Sequence, residues 1–510
     1  MLPSFPKKKR LVGSRSSILV SNCRNAEPKI ATKSKVSNLF SMSENLNPNV
    51  VVPSSPKTLL GHKFGNTLRR RSRNRFVTKN LPVPGPFESV PDQIITLIFS
   101  KITESQRKSA ALVCKRWLRL QGRLVESIRV LDWRFLESGR LVERFIDLRD
   151  VDLVDACVKG GRRWKVFLSQ RLVSIDLSDE WIKIGDKDGD GNGDLLRLVN
   201  EDCFLSKEDV DEGLRILSCG CPRLRKLVTV AGIEMGLLSL AEDCPNLQEL
   251  ELHRCCDNTL RAIAAFENLQ VLRLHGNVGR PVTDTGLTIL AQGCKLLVKL
   301  ELSGCEGSYD GIKAIGQGCQ MLEELTLSDH KLDDGWLAGV SYCENLKNLS
   351  FRSCKRIDDS PEPDPEEYLS CCPSLERLHL QMCQLRRSES LKALLMVCDA
   401  VREIVIQDCW GLTDDIFILI QICRRVNFLS LEGCSLITTT ALESVVRSMD
   451  ALEMLKVVSC KNVKNSELSI DLSALFNILQ ELTWMPDAKS LLSSNITSDM
   501  GKKGGKFFKK

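Results

Sequence analysis

Six segments of this chain carry one frame of cysteine and leucine, C-x2-L-x2-L-x-L-x2-C in its clearest copy, Cys294–Cys305 (CKLLVKLELSGC). Cys244–Cys255, Cys343–Cys354, Cys372–Cys383, Cys398–Cys409 and Cys423–Cys434 keep its register. Self-similarity at a short period leaves few folds open, because each unit has an apolar face that only the next copy can cover. With the first leucine-like position as anchor, copies fall at Leu148, Leu172, Leu224, Leu247, Leu269, Leu297, Leu322, Leu346, Leu375, Val401, Val426, Leu452 and Leu479, mostly 22–29 residues apart. One short strand and one return helix fit that step. Ile128–Trp133 reads as a degenerate opening strand, and the 52-residue step from Leu172 to Leu224 predicts an insertion near 181–205.

This period is that of leucine-rich repeats, so the fold class expected is α/β, a horseshoe solenoid of about 13 repeats over 129–485. Strand alternation turns the leucines inward and sends the residues two, four and six after each anchor to the concave sheet surface. Between strands, segments such as VTDTGLTILAQGC (282–294) and LTDDIFILIQIC (412–423) place Thr or Asp before an apolar run, which predicts a capped return helix. PEPDP at 361–365 breaks one of these helices. Of the 22 cysteines, 15 stand three residues before the anchor or eight after it. That placement predicts buried free thiols in a reducing compartment. At the later point a polar-capable side chain can bond the turn, and Asn277 and His330 occupy the same position. Cys219/Cys221 and Cys371/Cys372 lack a second pair with histidines at ligand spacing, so no zinc site is expected there.

The net charge of +6 is unevenly spread: residues 1–85 hold 17 Lys/Arg against Glu27 and Glu44, and five lysines follow Gly501, which leaves the middle near −14. A basic nucleic-acid-binding surface on the fold is therefore not expected. Residues 1–84, rich in Ser, Asn, Pro and Lys/Arg, are expected to be a disordered basic segment, and 486–510 a flexible basic tail. The clusters PKKKR (6–10) and LRRRSRNR (68–75) read as nuclear-import signals, as solubilising charge, or as part of a transit peptide. No apolar run reaches the roughly 18–20 residues of a membrane span, so a nuclear and/or cytoplasmic protein is expected. Asp186, Asp188, Asp190 and Gly191 follow the start of a calcium loop, but position twelve is Arg197, which cannot act as the bidentate carboxylate. A flexible acidic surface loop is the competing reading.

Between 85 and 128 the pattern changes to short helices with more apolar surface than they can bury alone. The succession Val90-Pro91-Asp92, Ile94-Ile95, Ile98-Phe99 and Leu112-Val113-Cys114-Lys115-Arg116-Trp117 resembles the F-box. The resemblance covers about 40 residues and departs from the usual Leu-Pro opening at Val90-Pro91. Followed by cysteine-containing repeats, it is similar to the F-box/leucine-rich-repeat family, whose members are substrate receptors of SCF-type cullin–RING ubiquitin ligases. The resemblance implies a three-helix module at 85–128 that binds the Skp adaptor, and through it a cullin–RING assembly. It further implies that Pro91, Ile94, Ile98, Phe99, Leu112, Val113 and Trp117 contact the adaptor as apolar helix faces in a groove.

On the sheet surface, His253, Arg273, His275, Arg352, Arg377, His379 and Phe428 read as a strip for an unknown target protein, since Arg and aromatic side chains dominate interface energies. His253 and His275 become strand neighbours, but with no carboxylate ligand recognised beside them no metal is expected. No glycine phosphate loop, nucleophile elbow, zinc-protease helix or kinase signature occurs. No catalytic residue and no cofactor are therefore expected. Alternatives are a repeat scaffold outside any ligase, with the helices as an N-terminal cap, and a small-molecule co-receptor.

Overall fold

The computed structural model describes residues 18–19, 87, 89–158, 164–168, 171–175, 204–276, 281–332, 335–354, 356–357 and 372–488. The basic clusters, the acidic loop at 186–194, Asn277, the PEPDP segment and the C-terminal lysines lie outside them.

Thirteen strands between residues 127 and 485 form one parallel sheet in chain order. They are β1 (Ser127–Arg129), β2 (Asp150–Asp152), β3 (Lys226–Val230), β4 (Glu249–Cys255), β5 (Val271–Gly276), β6 (Lys299–Ser303), β7 (Glu324–Ser328), β8 (Asn348–Arg352), β9 (Arg377–Gln381), β10 (Glu403–Gln407), β11 (Phe428–Glu432), β12 (Met454–Val458) and β13 (Glu481–Met485). Ile18–Leu19 pairs with β1 at the sheet's edge. Equivalent frame positions face each other throughout: Leu300, Leu325, Leu349, Leu378, Ile404, Leu429, Leu455 and Leu482 make one row. Among the described residues successive return helices pack on one another, as Asp284–Gly293 does on Tyr309–Gly318. The core between sheet and helices is continuous and aliphatic, with Leu297, Leu300 and Leu302 at most 1% exposed. The array is a leucine-rich-repeat solenoid.

The opening strand at Ile128 is present, whereas the strand expected at Leu172 is not part of the ladder. Arg171–Ile175 pairs antiparallel with Trp164–Leu168 in a separate hairpin, and β2 pairs directly with β3. The interruption of the repeat thus includes this hairpin, while residues 181–203 of the expected insertion lie outside the described residues.

Both cysteine points are buried free thiols. After the anchor, Cys354 reaches the carbonyls of Leu327 and Arg352 at 3.5 Å, and Cys409 those of Leu380 and Gln407 at 3.5 Å, so each thiol serves its own strand and its neighbour. Before the anchor, Cys319 donates to the Cys294 carbonyl at 3.4 Å and Cys244 to that of Cys221 at 3.4 Å. Burial pushes the Cys294, Cys305 and Cys343 thiols up to about 12. One residue ahead of the later cysteine the backbone turns left-handed in repeat after repeat: Arg254, Gly304, Asp329, Ser353, Met382, Asp408, Gly433 and Ser459 all have φ between 48° and 67°. In seven of these eight repeats that turn directly follows the strand.

Ser206, Thr438 and Ser469 cap their own helices as expected, but other helix starts depart from that pattern. Thr283 makes no side-chain bond to its own helix. Its amide and hydroxyl donate to Asp257 of the preceding repeat, at 2.7 and 2.6 Å. Ser308 does the same to Asp284, at 2.8 and 2.5 Å, and Thr438 to Asp414, at 2.8 and 2.7 Å. The polar residues at helix starts therefore staple one repeat to the next.

Three short helices precede the ladder: α1 (Asp92–Lys101), α2 (Glu104–Ala111) and α3 (Lys115–Gly122). Thr103 and Gln106 close a capping box on α2, and the Cys114 thiol accepts from the Trp117 amide at 3.4 Å. The α3 end is buried at Leu120, Gln121 and Gly122, where a Cβ on Gly122 would collide with the Arg144 carbonyl. Among the described residues no helix is long and apolar enough to cross a membrane.

Candidate functional site

Two surfaces carry the candidate residues. On the helical module, Ile95 and Phe99 face inward, and the Phe99 and Trp117 rings meet edge to face at 5.3 Å. Phe99 is 2% exposed and Trp117 half-buried, so both hold the helices together from within. Pro91, Ile94 and Ile98 are exposed on or beside α1, while Leu112 and Val113, at the turn between α2 and α3, are 82% and 64% exposed. Leu97 is exposed too. Sequence reasoning passed over it, although its spacing of three from Ile94 places it on that side of the helix.

On the sheet, the residues two after the anchor are partly or fully exposed, and in β8 those four and six after it are partly exposed as well, whereas His253, Ser303, Thr326, Ser328 and Ser430 at the later positions are buried. Opposite charges sit across the strands. Arg273 Nε lies 3.4 Å from Glu301 and its Nη1 3.8 Å from Glu249. Lys299 reaches Glu301 at 3.1 Å and Glu324 at 2.9 Å. Arg377 reaches Glu403 at 2.8 Å. Each of these arginines therefore has its charge matched within the face.

The seven expected target-binding residues do not make one strip. His253, Arg273 and His275 lie on β4 and β5; Arg352, Arg377 and His379 lie on β8 and β9; Phe428 lies on β11. Strands β6 and β7, presenting Lys299, Glu301, Ser303, Glu324, Thr326 and Ser328, separate the first two groups by about 14 Å, three strand spacings. In the second group His379 is mostly buried, its pKa lowered by burial and then by the Arg352 charge. Neither Arg352 Nε nor His379 Nε2 has a hydrogen-bond partner. Among the described residues, Arg352 and His379, with the unpartnered Ser350 hydroxyl on β8, have donor capacity left for a partner.

In the first group the structure corrects the expectation that no carboxylate accompanies the histidines. Glu251, two residues before His253 on the same face of β4, puts its Oε1 3.1 Å from His253 Nε2 and 3.8 Å from His275 Nε2. The two imidazoles stack at 4.3 Å, 13° from parallel. Burial pushes the Glu251 carboxyl up, but the hydrogen bonds and charges of both histidines outweigh it and hold the group well below the usual carboxylate range. Strand alternation puts all three on one face, and the cross-strand register brings them together.

No family model matches the chain. Solved structures similar to it include a TLR13–ssRNA13 complex, at 15% identity and a TM-score of 0.39 over 72% of this chain and 44% of that one. An internalin from Listeria monocytogenes is similar at 14% identity and a TM-score of 0.31, over 56% of this chain and 85% of that one. The yeast Rad7 and Elc1 complex is similar at 13% identity and a TM-score of 0.33, over 76% and 92%. The chain thus spans less than half the length of the TLR13 chain. Likenesses this distant carry no argument beyond what the strand ladder itself establishes.

Proposed function

We propose that this chain is the substrate-recognition subunit of an SCF-type cullin–RING ubiquitin ligase, with α1–α3 docking on the Skp adaptor and the sheet face holding a target protein. The reading is carried by the apolar side chains left in water on a module this small: Leu97, Ile98, Leu112 and Val113 are each 47–82% exposed while Ile95 and Phe99 fill its interior. Exposed aliphatic side chains on short helices call for a covering partner, and the F-box resemblance gives that partner its identity. The protein contributes proximity and no bond chemistry of its own. On the target side, Arg352 and His379 are the groups proposed to make the polar contacts.

Affinity capture from cells tests both halves. The intact protein is expected to bring down adaptor, cullin and target; Leu112→Asp with Val113→Asp loses adaptor and cullin, and Arg352→Glu with His379→Ala loses the target alone. Identical partner sets from all three proteins would overturn the proposal. A second reading, a scaffold whose helices only cap the array, draws on the burial of the α3 end against Arg144. It predicts that deleting 91–122 lowers the melting temperature sharply while no adaptor is ever captured.

A further inference from the structure

We propose that Glu251, His253 and His275 form a binding site for a first-row divalent transition metal ion, zinc above all, on the sheet face at β4 and β5. Nothing in this inference depends on the ligase reading.

The site is produced by the frame. His253 and His275 occupy the same frame position on adjacent parallel strands and are Cα partners in the ladder. Glu251 stands two residues earlier on β4 and so shares their face. The three ligand atoms all lie within 4.8 Å of one another. An ion held at about 2.0–2.1 Å in a tetrahedral shell needs its donors about 3.4 Å apart, so the 3.1 and 3.8 Å separations from the Glu251 oxygen bracket that requirement. Two imidazoles and one carboxylate are the donor set of an open zinc site, leaving further positions for water or a partner's ligand. Calcium and magnesium, which take oxygen ligands, are disfavoured by the same set.

The stacked rings set a condition. Parallel imidazoles aim their in-plane lone pairs along parallel lines, so one ring must turn before both can meet a single ion. His253 is 1% exposed and fixed by its surroundings, whereas the His275 side chain is 15% exposed and faces the open sheet surface. Turning His275 about its Cβ–Cγ bond breaks the stack and brings its Nε2 onto the ion, a broad and low torsional barrier. Arg273, opposite Glu251 in the ladder, brings a positive charge close by, but Glu249 and Glu301 balance it.

The full chain, stripped of metal with a chelator, is titrated with Zn2+ by calorimetry and with Co2+ by visible absorption. A single ion is expected to bind and to give the intense d–d bands of a low-coordinate cobalt site with nitrogen and oxygen ligands. His275→Ala and Glu251→Gln, both at partly exposed face positions, are each expected to weaken binding by about tenfold or more, a loss that even outer-shell partners of a ligand can produce. Cys114→Ser with Cys219→Ser, at the thiols exposed among the described residues, is expected to leave it unchanged. Thermal melting supplies an independent readout, since Zn2+ raises the melting temperature only of a fold that binds it. Absence of binding, binding that survives both His275→Ala and Glu251→Gln, or binding lost with the two cysteines overturns the assignment.

Discussion

Replacing His330 with cysteine restores the frame residue at the end of β7 and removes a buried titratable ring. His330 is 4% exposed, and neither ring nitrogen has a hydrogen-bond partner. Burial lowers its pKa from the ordinary 6.5 to about 4, against a weaker opposing pull from the Leu302 carbonyl, which approaches without meeting hydrogen-bond geometry. The folded state therefore disfavours the protonated ring, and the unfolded chain takes up the proton first as pH falls. The stability attached to the neutral ring is complete above pH 6.5 and is lost between there and pH 4, at about 1.4 kcal/mol per pH unit. The full loss is about 3 kcal/mol. Urea unfolding followed by far-UV circular dichroism, run from pH 7 to pH 4 on wild type and His330→Cys, isolates this contribution because the carboxylates common to both cancel. The variant is expected to gain about 3 kcal/mol on the wild type across that window. A difference that stays within about 1 kcal/mol across the range would refute the reasoning, because it would mean that the ring is solvated or partnered in the folded protein.

Asp284→Ala removes the acceptor for the Ser308 amide and hydroxyl and the Gly311 amide, and is expected to cost about 2 kcal/mol in urea unfolding, with a coupling of about 1 kcal/mol to Ser308→Ala in a double-mutant cycle. Additive effects would mean that the staple does not join the repeats. Alkylation of the native protein near neutral pH, read by mass spectrometry, should modify the exposed Cys114 and Cys219 and spare Cys294, Cys305 and Cys343, whose thiols burial holds near 12. Phe99→Ala should destabilise the module by about 3–5 kcal/mol through its loss of the Trp117 contact, whereas Leu112→Asp, 82% exposed, should stay within about 0.5 kcal/mol of wild type in thermal melts.

The ladder was legible because most units repeat the leucine spacing and six of them carry both cysteines, and every register slip would bury the polar face. Leu172 misled because Leu172, Ile175 and Leu177 copy the anchor pattern, and residue type alone does not say whether a strand joins the growing edge or folds back on its neighbour. The left-handed corner was invisible for a related reason. Arg254, Met382 and Asp408 share no side-chain chemistry with Gly304, and what they share is a backbone angle imposed by the next strand. The staples join residues 24 to 26 apart in sequence, beyond the reach of local capping rules. Strand alternation puts Glu251 on the sheet face, but its relation to His253 and His275 depends on the cross-strand register. On the module, apolar periodicity identified the helices yet could not separate Phe99, inside, from Ile98, outside.

The most direct measurement is calorimetric titration of the purified chain with a purified Skp adaptor bound to the N-terminal part of a cullin. Binding of a single adaptor is expected for the wild type, with loss of binding on Leu112→Asp plus Val113→Asp at an unchanged melting temperature. An adaptor that does not bind, or that binds equally well after deletion of 91–122, would contradict the assignment of this chain as a ligase receptor.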